Sequence, residues 1–463
     1  MRRQLFLLFM KKAVFHTLGC KLNYAETSSF MRQFRERGFT VSDTIAQPAQ
    51  VCVVNTCTVT EKADRECRQI VRRARRHSPD AYVIVVGCYA QLDPEVIASI
   101  EGVDLVLGSS EKFAIFDYAD KEFRKEKTPR IYVSPIDEAS GFGTGYSFDE
   151  GRRTRAFLKV QDGCDYSCSF CTIPLARGES RSQSIDESVR QAEMLVGEGF
   201  KEIVLTGVNV GDYGSKDGTS LLDLLRTLEQ VPGLRRLRIS SIEPNLLTDE
   251  LLEFWISSEV LVPHFHIPLQ SGSDDILRRM RRRYMSDYYG NLVHKICRRE
   301  PDAGIGVDVI VGFPGETEEH FEDTYRFIVD LPISYLHVFT YSERDNTPAM
   351  EYEGKVDPAD RSRRTKMLRI LSEKKRRAFM QRFIGKEVSV LFEESFKNDY
   401  INGLTKEYLR VAVPYHEGIE NTEATVRITS VNGEVAYGDI IQWDTNLSKG
   451  NGAGQSFRLP VIQ

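Results

Sequence analysis

Val160-Gln161-Asp162-Gly163-Cys164-Asp165-Tyr166-Ser167-Cys168-Ser169-Phe170-Cys171 closes a strand-like run and sets three cysteines within eight residues. Thiolate is the ligand that holds iron–sulfur clusters, and three thiolates on one turn can converge on a single soft-metal centre while leaving one iron open. A structural zinc site is the other reading of such a triplet. Zinc ordinarily takes a fourth Cys or His, and His77 and His264 are both far away in sequence.

Working outward from this turn, strand-like runs recur at residues 157–161, 202–206, 234–241, 264–269, 306–311 and 335–340, separated by helical stretches. The stretch 186–197 is one such helix, with Ser184 or Asp186 as N-cap and Gly199 as its stop. Six βα units predict a partial barrel whose chemistry sits at the carboxyl ends of the strands. Cys164, Gly207, Glu243, Gln270 and Gly312 all fall at those ends.

The segment before it alternates in the same way. Runs at 13–18, 51–56, 82–87 and 103–107, with helical stretches at 24–38 and 60–76, predict a doubly wound parallel sheet. Cys20, Cys57 and Cys88 each sit just past the carboxyl end of a different strand, the edge where open α/β sheets collect ligands, so they form a second three-thiolate site. Cys52, Cys67 and Cys297 lack that placement and read as small buried apolar residues.

Residues 134–153, rich in Gly and acidic groups, read as a linker, and alternating runs with Gly turns after residue 383 read as a small β-barrel. The expected organisation is therefore 11–135, a linker at 136–153, the barrel at 154–382, the small β-barrel at 383–445 and a disordered tail at 446–463. The first residues are too short an apolar run to span a bilayer, and Met10 is a plausible alternative start.

With 463 residues and 41% hydrophobic content the chain can bury ordinary cores, and nine cysteines without secretory framing suit a reducing compartment, by default the cytoplasm. A net charge of −5 argues against indiscriminate polyanion binding. Basic residues are nevertheless clustered: six arginines in 65–76, five in 278–283, and ten Lys/Arg in 361–382. Each cluster alone reads as a solvated helix face; together they point to RNA, with Arg361, Arg363 and Arg364 as candidate phosphate contacts.

Several motifs carry a resemblance that spans most of the chain: Thr17-Leu18-Gly19-Cys20-Lys21-Leu22-Asn23, Asn55-Thr56-Cys57, Gly87-Cys88-Tyr89, the C-x3-C-x2-C triplet, Ser240-Ser241-Ile242-Glu243-Pro244 and Pro268-Leu269-Gln270-Ser271-Gly272. In this order they resemble the methylthiotransferase family of radical S-adenosylmethionine (SAM) enzymes, and Lys21-Leu22 after Cys20 resembles the branch acting on tRNA threonylcarbamoyladenosine. The terminal barrel, with Val390-Leu391-Phe392-Glu393 and Asn402-Gly403-Leu404-Thr405-Lys406-Glu407-Tyr408, resembles a TRAM RNA-binding domain, although Lys406-Glu407-Tyr408 departs from the commoner Asn-Tyr pattern.

The resemblance implies two 4Fe-4S clusters, one at Cys164, Cys168 and Cys171 that reduces SAM to a 5′-deoxyadenosyl radical, and an auxiliary one at Cys20, Cys57 and Cys88 that holds the sulfur to be inserted. No side chain is expected to act as acid or base, because carbon 2 of adenine carries no ionisable proton. Gly207, Glu243 and Gln270 are candidate SAM contacts. Arg177 and Arg181 read equally as carboxylate or phosphate binders or as structural ion-pair partners and receive no catalytic role. The implied partners are a tRNA anticodon stem-loop and a small electron-donor protein, with an unnamed sulfur donor and no membrane. An isopentenyladenosine tRNA, a ribosomal protein, and a non-catalytic iron–sulfur RNA-binding or electron-transfer role remain alternatives.

Overall fold

The computed structural model describes residues 11–44, 48–58, 61–139, 141–147, 154–397 and 399–443. The proposed Met10 start and the tail lie outside them.

Six parallel strands form the first sheet: β1 (Lys12–Thr17), β2 (Thr40–Ser42), β3 (Val51–Thr56), β4 (Tyr82–Gly87), β5 (Leu105–Leu107) and β6 (Arg130–Tyr132), in the order β2-β1-β3-β4-β5-β6. Val51–Thr56 and Tyr82–Gly87 are buried throughout, as near-continuous apolar runs should be when both faces of a parallel sheet are covered. The helix Lys21–Glu36 packs Phe30 and Phe34 on one face, and the helix Glu61–His77 packs Cys67 and Val71 on the other. The strand order reverses between β1 and β3, so the crevice beyond their carboxyl ends is the topological switch point.

The second body is a half-barrel of parallel strands. Its strands are β7 (Arg155–Lys159), β10 (Glu202–Thr206), β11 (Arg236–Ile239), β12 (His264–His266), β13 (Gly304–Val311) and β14 (Tyr335–Thr340). They form two three-stranded sheets, β11-β10-β7 and β12-β13-β14, joined by a parallel bridge from Leu237 to Leu261. A short hairpin, β8 (Gln161–Asp162) with β9 (Arg181–Ser182), follows β7 and was not foreseen from sequence. Ser184 caps the helix Ile185–Gly197 by accepting from the Glu187 amide. Ala156, Leu158 and their counterparts point outward into the helix-covered core. By strand alternation Arg155, Phe157 and Lys159 face the lumen.

The third body is a closed barrel of β15 (Glu387–Lys397), β16 (Tyr400–Thr405), β17 (Arg410–Pro414), β18 (Glu423–Asn432) and β19 (Val435–Trp443), in the order β15-β16-β17-β19-β18. It plugs the amino-terminal mouth of the half-barrel. Arg236 donates to the Leu404 carbonyl (2.9 Å) and to Glu423 (2.7 Å), and Tyr408 stacks on His264 at 4.4 Å.

Several expectations are corrected. Residues 145–147 pair with β7 through Tyr146 and Leu158, so part of the expected linker is a structured edge. Arg361 and Arg364 are buried and paired with Glu343 and Glu316, both at 2.7 Å, which leaves only Arg363 of the three exposed. Lys406 to Tyr408 form a docking turn against the half-barrel, where Arg238 donates to the Lys406 carbonyl at 3.1 Å. No helix among the described residues is long and apolar enough to cross a membrane.

Candidate active site

The turn carrying Cys164, Cys168 and Cys171 is pinned from three sides. Gly163 holds φ +71°, and a Cβ there would lie 1.9 Å from the Glu179 carbonyl oxygen, so only glycine fits. The Cys164 amide donates to Gly178 (3.0 Å), and the Ser169 amide to Met280 (3.1 Å). Burial pushes the Cys164 thiol up to about 11 and the Cys171 thiol up to about 12, with the neighbouring thiols adding to the shift. Without a metal these groups stay protonated at neutral pH; ligation must displace the protons.

Arg282, almost fully buried, donates from Nη1 to Cys168 Sγ at 3.2 Å, from Nε to the Tyr284 hydroxyl, and from Nη2 to Glu243. Glu243 is thus one side chain removed from the triplet. Beside Cys171 lies a cavity of about 240 Å³ lined by Phe170, Thr172, Gln270, Asp308 and Ile310. Gln270 holds φ +67° there, a conformation costly for a non-glycine residue, and its buried Oε1 accepts no hydrogen bond. Gly207 packs instead against Gln161, whose amide nitrogen donates to the Gly163 carbonyl at 2.8 Å; it shapes the turn and is not part of the cavity lining.

Cys20, Cys57 and Cys88 gather at the switch point of the first sheet. Cys20 is the N-cap residue of the helix Lys21–Glu36, and Cys88 opens the helix Cys88–Leu92. Gly19, at φ +94°, lets the chain pass so close to Cys57 that a Cβ would sit 2.7 Å from its Sγ. Cys20 is exposed, yet the protein packed around its sulfur raises the thiol through desolvation, opposed chiefly by Arg177.

Arg177 ties the two triplets together. It lies at the end of the helix Ile173–Arg177, which starts two residues after Cys171, and donates from Nε to Cys88 Sγ at 3.3 Å. At 1.5 Å per residue, that five-residue helix is about 7.5 Å long. The guanidinium also reaches Asn23 (2.6 Å), Glu26 (2.9 Å) and Asp162 (2.9 Å). Lys112 and Lys159 complete the cluster on Glu26 at 2.7 and 3.0 Å, all fully buried. Burial alone would raise the Glu26 carboxyl; Arg177, Lys112 and Lys159 outweigh it and hold it well below the usual range.

The lumen below the cavity is polar. Asp308 accepts from His266 Nε2 at 2.9 Å and His337 Nδ1 at 3.2 Å. These three are the only His, Cys, Asp or Glu groups among the described residues whose ligand atoms lie mutually within 4.8 Å. A single tetrahedral ion with metal–sulfur bonds of about 2.3 Å would hold its thiolates about 3.8 Å apart. Neither cysteine triplet is that tight. Wide spacing, mutual electrostatic influence and an arginine on one thiol of each set fit a multi-iron cluster better than one zinc ion.

Sequence reasoning named the six thiols, Glu243 and Gln270, all of which the fold brings to this region. Cys52 and Cys67 are buried in the first sheet's core, as expected, whereas Cys297 is only partly buried, packed against the barrel core with its thiol toward the Pro332 carbonyl. Arg177 is an ion-pair partner, one of its two sequence readings, but its partners Glu26 and Asp162 were missed, as was Arg282, read as one of a solvated run. The available signal was charge out of place: Glu26 on a helix rich in buried positions and Lys159 inside a strand.

The Radical SAM superfamily model matches residues 158–328, and the Uncharacterized protein family UPF0004 model matches residues 12–108. The chain is 42% identical over 440 residues to the threonylcarbamoyladenosine tRNA methylthiotransferase MtaB of Bacillus subtilis (94% of this chain, 97% of the relative). It is 38% identical to the protein of that name from Aquifex aeolicus (90% and 99%). A tRNA-2-methylthio-N(6)-dimethylallyladenosine synthase of Lawsonia intracellularis is 31% identical (89% and 95%). Among solved structures, the radical SAM methyltransferase TsrM of Kitasatospora setae superposes with a TM-score of 0.51 at 17% identity, covering 74% of this chain and 77% of that one, a likeness of fold.

Proposed function

The chain belongs to the methylthiotransferase family of radical SAM enzymes, and from that premise we propose that it converts N6-threonylcarbamoyladenosine at position 37 of tRNA to its 2-methylthio derivative. Enzymes of this family use SAM and two 4Fe-4S clusters. Cys164, Cys168 and Cys171 would hold one, with Glu243 and Gln270 toward SAM; Cys20, Cys57 and Cys88 would hold the other. When bound, these groups supply one-electron cleavage of SAM and a site for the sulfur to be inserted. The chain's own residues bring the two centres together, neutralise them and enclose the substrate.

The observation that carries this reading is the five-residue helix with Cys171 before it and Arg177, donating to Cys88, at its end. Arg177 and Arg282 each place a buried cation against a thiol, a counter-charge for an anionic cluster in a low-dielectric site. The exposed basic residues Arg72, Arg73 and Arg76, with Lys366, Arg369 and Arg377, would hold the anticodon stem-loop through its phosphates. The reading places the protein in the cytoplasm, supplied by a small electron-donor protein.

Nucleoside mass analysis of tRNA tests it. A deletion strain should lack 2-methylthio-threonylcarbamoyladenosine and accumulate the unthiolated nucleoside; a wild-type copy should restore it and Cys168→Ala should not. Unchanged 2-methylthio-threonylcarbamoyladenosine in the deletion strain would overturn the assignment.

A further inference from the structure

The floor of the half-barrel lumen carries one cation more than its carboxylates answer. Arg155 lies 3.5 Å from Glu393 and hydrogen-bonds Tyr408. Arg236 pairs with Glu423, and Arg238 with Glu202, both at 2.7 Å. Lys21 has no such partner: among the described residues its ammonium makes no hydrogen bond and no ion pair. Its electrostatic neighbours are Tyr408, Arg155, Arg238 and Glu202.

Lys21 also points the right way. One turn further along its helix, Tyr24 and Ala25 pack against Phe157 and Val204, which face the lumen, with the Tyr24 and Phe157 rings 5.7 Å apart. Positions i, i+3 and i+4 share a helix face, so Lys21 projects into the same space. It remains accessible to water. A cavity of about 440 Å³ adjoins this floor, lined by Arg155, Tyr335, His337, Arg376, Tyr408 and Arg410. His337 hydrogen-bonds Asp308, which lines the cavity beside Cys171, so the two spaces meet at this pair.

On an adenine ring, carbon 2 and the exocyclic N6 flank N1 on opposite sides. A base that presents carbon 2 to the thiol sites therefore turns its N6 substituent toward another wall. A threonylcarbamoyl substituent ends in a carboxylate and a hydroxyl. A carboxylate drawn into this floor needs a cation, and Lys21, exposed to the lumen and without an ion-pair partner, can answer it without breaking an existing pair.

We propose that Lys21, backed by Arg155, forms the anion subsite at the lumen floor that binds the substrate's side-chain carboxylate, and so selects a threonylcarbamoylated base over one with an apolar N6 substituent. The proposal rests on the function proposed above. Lys21 is a specificity residue in it and takes no part in bond making.

Binding of anticodon stem-loops to the reconstituted protein tests the subsite. Two RNAs are compared, one with threonylcarbamoyladenosine at position 37 and one with the same nucleoside as its carboxyl methyl ester. Wild type should bind the acid about tenfold more tightly than the ester, the fold-change of one charge-assisted hydrogen bond. Lys21→Met should bind the two alike, and Lys21→Arg should keep the preference. A merely structural lysine would weaken both RNAs equally and leave the ratio intact, which overturns the proposal. Equal binding of acid and ester by wild type, a measurement that needs no variant, overturns it as well. Failure of wild type to methylthiolate the acid RNA at all is a different result and refutes the function proposed for the chain.

Discussion

Arg177 is the residue on which most of the buried charge depends. Its guanidinium contacts Glu26, fully buried, and Asp162, nearly so. Removing one partner of a buried ionic cluster strands the others, so Arg177→Met should destabilise the protein by about 3–5 kcal/mol. Chemical denaturation of the anaerobic protein measures this, with the exposed Arg363→Met as comparison, expected within about 0.5 kcal/mol of wild type. Arg282 acts on the other thiol set. A cation beside a cluster favours its reduced, more negative state, so Arg282→Met should lower that cluster's midpoint potential by on the order of 60 mV, equivalent to about 1.4 kcal/mol for one electron. Redox titration followed by electron paramagnetic resonance reads it, and Arg282→Lys should recover part of the shift. At this scale the sequence was legible where chemistry is local. Three cysteines in eight residues declare themselves, whereas Arg177 and Arg282 acquire their roles only when the fold brings distant carboxylates and thiols to them.

Among the elements, strand β1 carries its own pH dependence. His16 lies partly buried on it, with a ring nitrogen that has no hydrogen-bond partner, and its pKa falls from 6.5 to about 4, through burial first and Arg73 second. Above pH 6.5 the ring is neutral in both folded and unfolded chains and contributes nothing. Below it the unfolded chain takes up the proton first, so stability should fall between about pH 6.5 and 4, by on the order of 3 kcal/mol in total. Thermal unfolding of wild type against His16→Gln across that range checks the sign: the difference should narrow on acidification in favour of the variant. The basic helix Pro358–Gln381 makes a second test. Reversing its exposed Lys366, Arg369 and Arg377 to Glu should weaken tRNA binding and flatten its salt dependence by about 0.9 for each phosphate that is no longer neutralised. The same change in Arg361 and Arg364 should instead unfold the protein locally, since both sit in buried ion pairs. Long, β-branched apolar runs such as Val51–Thr56 were legible, as was the capped helix Ile185–Gly197. The three-residue edge strands Thr40–Ser42 and Arg130–Tyr132 were not, because so short a run has no periodicity to read. Nor does helical spacing distinguish an arginine on a solvated face from one packed under a neighbouring loop.

For the whole molecule, three bodies are arranged around one lumen. The first sheet supplies the switch-point thiols and closes the lumen's side with the helix Lys21–Glu36, the half-barrel supplies the second thiol set, and the terminal barrel seals the floor with Tyr408. The order of these bodies was readable from repeated βα patterns and from the cysteines at strand ends. Their mutual packing was not, because it rests on single side chains such as Glu26, Arg236 and Tyr408 whose partners lie more than a hundred residues away. The proposed function calls for two separate centres held by these six thiols. Iron and acid-labile sulfide are to be determined on anaerobically reconstituted wild type, Cys57→Ala and Cys168→Ala. About eight irons in wild type, falling to about four in each variant, is the expected result; about four in wild type, unchanged by Cys57→Ala, would contradict it.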